Sequence, residues 1–353
     1  MKKELSKQVI PILAEGSGEL VGWHDPDENR EWIRDHKPRG LIDKRMSVSA
    51  AVSKFVRDGD YLAIGGFGHV RVPMVMIYEI VRQRRRNLTI AGKTAVHDID
   101  ILIGGGCVGK VECAYCFGHE IRGLSPCGRR AVESGQVKVV AEISNAAYQW
   151  RFLAGMMGIP FIPARTMLGT DTFEKSACKV VEDPWSGKPV LLIPAAYPDV
   201  TLLHVPRCDR YGNAQIDGIL VEDFELARAS RRVIVTTEKI VDEELIRSDP
   251  RMTAIPYYLV DAVCEVPYGA HPVLMPYIYF FDEQHIAEWL CQSKTEEGTK
   301  EYLDRYVYGV SDFSQYLDLV GGEARMAELR RFEKLDAFNL GDGDPCEKVE
   351  GAK

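Results

Sequence analysis

No stretch of this sequence stays apolar for the ~20 residues that a membrane-spanning helix needs, which argues against a membrane protein of that kind. Positive charge is in deficit. Lys and Arg number 44 against 52 Asp and Glu, a formal net charge of -8, and a nucleic-acid partner would require a cationic face. The one basic cluster, Arg82, Arg84, Arg85 and Arg86, falls at a predicted helix end, where cations complement the dipole. The opening MKKELSKQVIPIL carries Glu4, Lys7 and an early Pro11, so it reads as a poor signal peptide. The nine cysteines are odd in number and lack framework spacing, which points to reduced thiols and a cytoplasmic home. There is no G-x-S-x-G nucleophile elbow and no internal repeat.

What is present fits a soluble globular chain: 353 residues, 46% hydrophobic and 27% charged. Between about residue 46 and residue 335, strand-like and helix-like segments alternate, the pattern of an open, mostly parallel α/β sheet flanked by helices. Helices are predicted at 47–57, 73–83, 98–103, 126–134 and 145–157. Strands are predicted at 61–64, 88–91, 111–117, 136–142, 190–193, 201–205, 213–216, 232–237 and 260–266. The last third, from about Asp282 to Lys334, reads as mostly helical. One domain is expected over 46–335. Residues 1–45 form a polar extension that packs on the domain or on a partner, and 336–353 form a flexible tail.

Several motifs invite chemistry. Gly104-Gly105-Gly106-Cys107-Val108-Gly109 matches G-x-G-x-x-G, but a strand-like segment follows it rather than a helix, so it reads as a loop and not a dinucleotide site. Cys113-x-x-Cys116 lies within a predicted strand. Its side chains are expected on opposite faces, so the thiols read as buried and no metal is expected. His204 reads as a satisfied core histidine, whereas His271 sits in a loop where a polar role is open.

GGFGHVRVP, Gly65 to Pro73, has another character. The apolar run Tyr61–Ile64 stops at two glycines and Pro73 opens a helix, so this is a strand-to-helix elbow at a carboxyl strand end. Either a ligand approaches its backbone, or a tight turn needs small residues. Gly118-His119-Glu120 ends another strand, as an acid–base pair, an orienting contact or a solvated turn. Ser144 and Asn145 precede an apolar helix, as caps or as polar groups at the sheet edge.

As a set, DGDYLAIGGFGHVRVP (58–73), GIPFIPAR (158–165), CDRYGNA (208–214), IVDEELIRSDP (240–250) and VPYGAHP (266–272) resemble the A (alpha) subunit of family I coenzyme A-transferases, especially the glutaconate CoA-transferase branch. The likeness runs from about residue 46 to about 335, and Arg71 is similar to that branch where the broader family has glycine. The resemblance implies the family I CoA-transferase fold and a heteromer with a B (beta) subunit, either a heterotetramer or larger. It implies no permanently bound cofactor, with a coenzyme A thioester as substrate. The family's nucleophilic glutamate lies in a Ser-Glu-Asn-Gly stretch of the B subunit. No such stretch occurs here; the nearest, Val132-Glu133-Ser134-Gly135, is a poor match.

The implied reaction is ping-pong acyl transfer between an acyl-CoA and a carboxylic acid. On that basis Gly65, Gly66, Phe67 and Gly68 bring backbone to the acyl group and its oxyanion. His69 and Arg71 are candidates to pair with the second carboxylate of a dicarboxylic substrate. His119, Glu120, Ser144 and Asn145 complete the candidate set. A related ring-opening hydrolase carries an essential glutamate where this chain has Asn145, with Glu142 nearby, and a decarboxylase shares the scaffold. More distant fold relatives include single-chain sugar-phosphate isomerases and ligand sensors.

Overall fold

The computed structural model describes residues 10–119 and 122–335. Its strands, in chain order, are β1 (Ile12–Glu15), β2 (Tyr61–Ile64), β3 (Leu88–Ala95), β4 (Val108–Cys116), β5 (Lys138–Glu142), β6 (Phe161–Ala164), β7 (Lys179–Glu182), β8 (Pro189–Pro194), β9 (Val200–Cys208), β10 (Ala214–Gln215), β11 (Arg232–Ile240), β12 (Thr253–Ile255) and β13 (Ala262–Glu265). The pairings give one parallel run, β13-β11-β9-β2-β3-β4-β5. The short strands β10 and β12 add antiparallel to the far end of β9. A second, antiparallel sheet has the order β1-β7-β8-β6.

The strands of the main sheet are apolar on both faces because each face is covered. In β2, Leu62 and Ile64 point into a core shared with the helices Val48–Phe55, Met74–Arg82 and His97–Gly104, and with the helical carboxyl-terminal part. Tyr61 and Ala63 point the other way. They meet Tyr148 and Phe152 of the helix Asn145–Met157 and the inner side chains of the antiparallel sheet, Val180, Leu191 and Ile193. Further along, Leu203, Val205, Val233 and Val235 pack against Ile216 and Ile255.

The parallel strands and the helices at 48–55, 74–82, 97–104, 126–133 and 145–157 fall where the sequence pattern predicts them. Helix signals are strong there: Ser47, Ser125 and Ser144 each cap their helix by accepting an N–H three residues on, and Gly158 ends one in the left-handed region. The antiparallel sheet is largely absent from the prediction. Its edge strands β1 and β6 lack alternation, and β6 holds Pro163, which an edge tolerates. The helix Pro26–His36 is missed too. It is strongly polar, with Trp32 and Ile33 its only large apolar residues, and only the cap Asp25 with Pro26 behind it marks its start.

Two sequence expectations are corrected. Cys113 and Cys116 do not face apart: the register shifts along β4 and Tyr115 has φ 151, which brings the two thiols into hydrogen-bond contact. Among the described residues seven cysteines are free thiols, but Cys291 is disulfide-bonded. His204 is a satisfied core histidine, bonded to Thr236 and Glu238 at 2.8 and 2.7 Å. His271, in the loop where a polar role was open, is buried and bonded to Tyr316 and Asp282. The Gly104–Gly109 stretch does join helix to strand; its carbonyls at Gly105 and Gly106 accept from Arg86, and the N–H groups of the same two residues donate to Ile101 and Ile103. No helix of the described residues is long and apolar enough to cross a membrane.

The segment before residue 46 is tied to the sheets by polar bonds. β1 pairs with β7, and the Val21 carbonyl accepts from Arg151 at 2.6 Å. Lys37, fully buried, donates to Asp261 at 3.0 Å and to the Arg231 carbonyl at 3.1 Å. Asp261 in turn accepts from the N–H of Val233. Asp261 also accepts from Arg232 at 2.9 Å, so Lys37→Met leaves it one cation and should lower unfolding free energy by about 1–3 kcal/mol. Chemical denaturation measures it, and a loss below about 1 kcal/mol would show the segment to be loosely attached.

Candidate functional site

Because β2, β3, β4 and β5 run parallel, the residues that follow them line one edge of the sheet: Gly65–Gly68, then His97 and Asp98, then Gly118 and His119, then Ser144 and Asn145. A shallow pocket lies at this edge between Gly65–Gly68, Lys93, Thr94 and Asp98. A larger depression among Trp32, Phe55, Arg57, Asp60 and Arg231 sits at the opposite, amino edge and shares none of these residues.

The elbow glycines answer first to packing. A Cβ on Gly65 would stand 2.4 Å from Leu203 Cδ2 and 3.0 Å from Asp223 Oδ1. Gly66 has φ +88, and its Cβ would lie 2.4 Å from the Val70 carbonyl. The loop amides are largely occupied. Gly65 N–H donates to Leu202 O at 2.9 Å, Phe67 N–H to Val70 O at 2.9 Å and Gly68 N–H to Thr94 O at 3.1 Å. The amides of Gly65, Phe67 and Gly68 are therefore engaged within the chain. Of the amides of Gly65–Gly68, Gly66 N–H alone has no hydrogen bond among the described residues. Phe67 stands 40% exposed at the lip.

Arg71 is also reassigned. It is fully buried with φ 54, and its guanidinium grips Asp223 with both arms, at 3.1 and 2.7 Å, and donates to Ile219 O at 2.8 Å. A fork already closed on an internal carboxylate cannot take a substrate's.

The cation that does line the pocket is Lys93. Its ammonium lies 2.6 Å from Glu222 Oε2 and 5.8 Å from the centre of the Phe67 ring. Glu222 is 1% exposed, and its pKa is pushed up to about 7, because burial outweighs the pull of Lys93. Asp98, buried at the pocket floor, is likewise raised by burial although it accepts the N–H of Val96.

Behind the pocket His69, His97 and His119 form a chain of rings, with centroids 5.7 Å apart for His69–His119 and 6.3 Å for His97–His119. His97 and His119 are fully buried, and no ring nitrogen of either has a hydrogen-bond partner among the described residues. Burial, first, and then His69 and Arg122 hold His119 down to about 3, and burial with the neighbouring imidazoles holds His97 well below its ordinary value. Both are neutral at pH 7, which suits them to orienting polar atoms and not to pairing with anions. Glu120 lies outside the described residues. Ser144 Oγ accepts from Ala147 N–H at 3.3 Å and so caps its helix, while Asn145 is exposed at the first turn. Two strands, β3 and β4, separate β5 from the elbow, so these two stand roughly 14 Å along the edge from Gly65.

The family model for coenzyme A transferases matches residues 45–266. The chain belongs to the coenzyme A transferase family, and its enzyme class is transferase. An uncharacterized protein of Archaeoglobus fulgidus is 63% identical over 92% of this chain and 73% of its own. The A chain of the 3-oxoadipate CoA-transferase of Pseudomonas knackmussii is 32% identical, covering 80% of this chain and 98% of that one. A cholesterol ring-cleaving hydrolase subunit of Rhodococcus jostii is 30% identical over 76% of this chain and 94% of its own. Among solved structures, glutaconate coenzyme A-transferase of Acidaminococcus fermentans superposes with a TM-score of 0.78 at 30% identity, over 81% of this chain and 95% of that one. A variant of the decarboxylase AibA/AibB gives 0.66 at 31% identity, over 74% of this chain and 98% of its own. The α/β fold with helices at the carboxyl end is that of the glutaconate enzyme.

For this CoA-transferase family member, sequence reasoning found the edge but missed Lys93, His97, Asp98, Glu222 and Asp223. Lys93 lies inside an apolar strand, and Glu222 and Asp223 lie some 150 residues beyond the elbow. The one signal was a lone lysine in LTIAGKTA, since a charge in a buried strand needs a partner.

Two outcomes follow from the paired groups. Arg71→Met strands Asp223 in the core and should destabilise by about 3–5 kcal/mol, read by urea unfolding. Glu222 carries a folded pKa near 7 against an ordinary 4.5, so the folded state binds the extra proton and this group's contribution to stability falls as pH rises from about 4.5 to about 7. Glu222→Gln should flatten that part of the profile; an identical slope in wild type and variant would contradict the assignment.

Proposed function

We propose that this chain is the A (alpha) subunit of a cytoplasmic, heteromeric CoA-transferase that moves coenzyme A between an acyl-CoA and a dicarboxylic acid, with the nucleophilic glutamate supplied by a B-type subunit. The observation that carries this reading is the incompleteness of the carboxyl-edge pocket. It is shallow, and its surroundings expose large apolar side chains: Phe67, Leu124 at 65%, Ile219 at 67% and Tyr277 at 71%. Apolar surface of this kind around a polar pocket marks a site shared with another chain. Among the described residues, the carboxylates at the pocket are unsuited to attack. Asp98 is buried, Glu222 is held by Lys93 and Asp223 by Arg71. The transferase relatives are each named as one subunit of a larger enzyme and the decarboxylase carries two names, which supports a partner of the same kind.

In the proposed reaction the partner's carboxylate attacks the acyl-CoA thioester, the carbon–sulfur bond breaks and an acyl–glutamyl anhydride forms with release of CoA thiolate. The thiolate then attacks the glutamyl carbonyl, giving a glutamyl-CoA thioester and the free acid, and an acceptor carboxylate runs the sequence in reverse. This chain provides the Gly66 N–H towards the oxyanion and Phe67 as an apolar wall. The second reading, a hydrolase or decarboxylase on the same scaffold, is weaker for hydrolysis because an exposed amide, Asn145, stands where the resembling hydrolases need a carboxylate base. A single-chain isomerase or sensor fits poorly with the open pocket and apolar lip.

Co-expressed with a B-type chain, the protein should form a stable complex. Incubation with acyl-CoA followed by borohydride should inactivate it, and borohydride without acyl-CoA should not. Full activity from this polypeptide alone would overturn the proposal.

A further inference from the structure

With Arg71 closed on Asp223, and His97 and His119 neutral, something else must meet the far end of a dicarboxylic acyl group. Lys93 is the one cation lining the elbow pocket among the described residues. Its setting is unusual for a strand residue. The β3–β4 register shifts on both sides of it, Lys93 pairs with Tyr115 at φ 151, and the next residue, Thr94, has φ 48. Such bulges re-aim side chains at sites. Here the irregularity accompanies an 8%-exposed lysine side chain held between the exposed Phe67 ring and the buried Glu222. An ammonium has three N–H donors and Glu222 accepts one, which leaves donors for a second carboxylate.

We infer that Lys93 determines specificity: its ammonium binds the distal carboxylate of a dicarboxylic acyl group whose methylenes lie along Phe67, while Glu222 stands by as the internal carboxylate that the substrate supplants. The inference rests on the transferase reading and adds the residue that selects the dicarboxylic acyl group.

The charges around Glu222 explain how the exchange works. Lys93 faces it from β3; Asp223, itself clamped by Arg71, and Glu225 lie on its own helix, Asp223–Ala229; the Tyr148 phenol approaches from the helix Asn145–Met157. Lys93 is the favourable partner, and the two acids oppose ionisation. A second carboxylate arriving at Lys93 adds another like charge, so Glu222 takes up a proton as the substrate binds and hands the lysine over without a net excess of buried negative charge. A monocarboxylic acyl group brings no such anion and causes no such uptake. With Glu222 poised near 7, the uptake falls at neutral pH.

The test uses the complex with its B-type partner, and two probes, glutaryl-CoA and butyryl-CoA, with acetate as acceptor. Lys93→Met should lower kcat/KM for glutaryl-CoA about ten- to hundredfold more than for butyryl-CoA, the loss expected for a hydrogen bond between charged groups. Titration calorimetry of glutarate at pH 7.5, in two buffers of different ionisation enthalpy, should show proton uptake in the wild type and none in Glu222→Gln. Should Lys93→Met fail to fold, the double variant Lys93→Gln, Glu222→Gln keeps the site neutral and should show the same selectivity loss. Equal losses on both thioesters would overturn the role of Lys93, and glutarate binding without proton uptake would overturn that of Glu222. If the wild-type complex transfers CoA from no acyl-CoA at all, the transferase reading fails instead, an outcome distinct from the other two.

Discussion

The Arg71–Asp223 pair is the constraint around which the carboxyl edge is arranged. Both side chains are fully buried, and the guanidinium fork closes on the carboxylate through two bonds of 3.1 and 2.7 Å. Desolvating two charges is tolerable only with such geometry; the Ile219 and His204 carbonyls accept from the two terminal nitrogens, while Arg71 Nε has no partner among the described residues. The pair joins the elbow after β2 to the 219–223 segment after β10. Beside that join, Asp223 and the β9 residue Leu203 lie so near to residue 65 that only glycine fits there, and Arg71 itself has a positive φ. The glycines of the elbow are thus explained chiefly by what lies beneath them, and the ligand-facing share of the loop narrows to the Gly66 amide and the Phe67 ring.

Burial then sets the charge state of everything near the pocket. It raises Asp98 and Glu222, the latter to about 7, and lowers His97 and His119, so Glu222 is only partly ionised at neutral pH and the two imidazoles are neutral. Lys93 keeps a partner within 2.6 Å in that weakly charged setting. For a reaction in which anionic carboxylates and thiolates exchange places on an acyl carbon, low local charge is useful: it avoids repelling the incoming anion, and each remaining donor acts in a less screened environment.

The outer faces of the same edge are apolar and exposed around Phe67, Leu124, Ile219 and Tyr277, whereas the rest of the main sheet is covered by helices and by the antiparallel sheet. The polypeptide before residue 46 contributes to that cover through β1, Val21 and Lys37. This apolar region coincides with the carboxyl ends of the parallel strands, where α/β sheets place their ligands.

Much of this was legible in the residues themselves. Apolar strands bounded by glycine, serine caps and the Gly158 helix stop are local signals, so the parallel run, its helices and the edge at Gly65–Gly68 could be read directly. The family resemblance also rests on contiguous segments and was confirmed by the match over residues 45–266. What the sequence could not decide is partner choice among charged side chains. Arg71 looked free because Asp223 is 152 residues away, and Lys93 drew no reading because Glu222 is 129 residues away. The antiparallel sheet was hidden for the same kind of reason, since its short strands carry little alternation and are fixed by neighbours distant in sequence. Local backbone preference acts over a few residues. Ion pairing and burial act over ångströms, and only the folded chain brings those groups within reach.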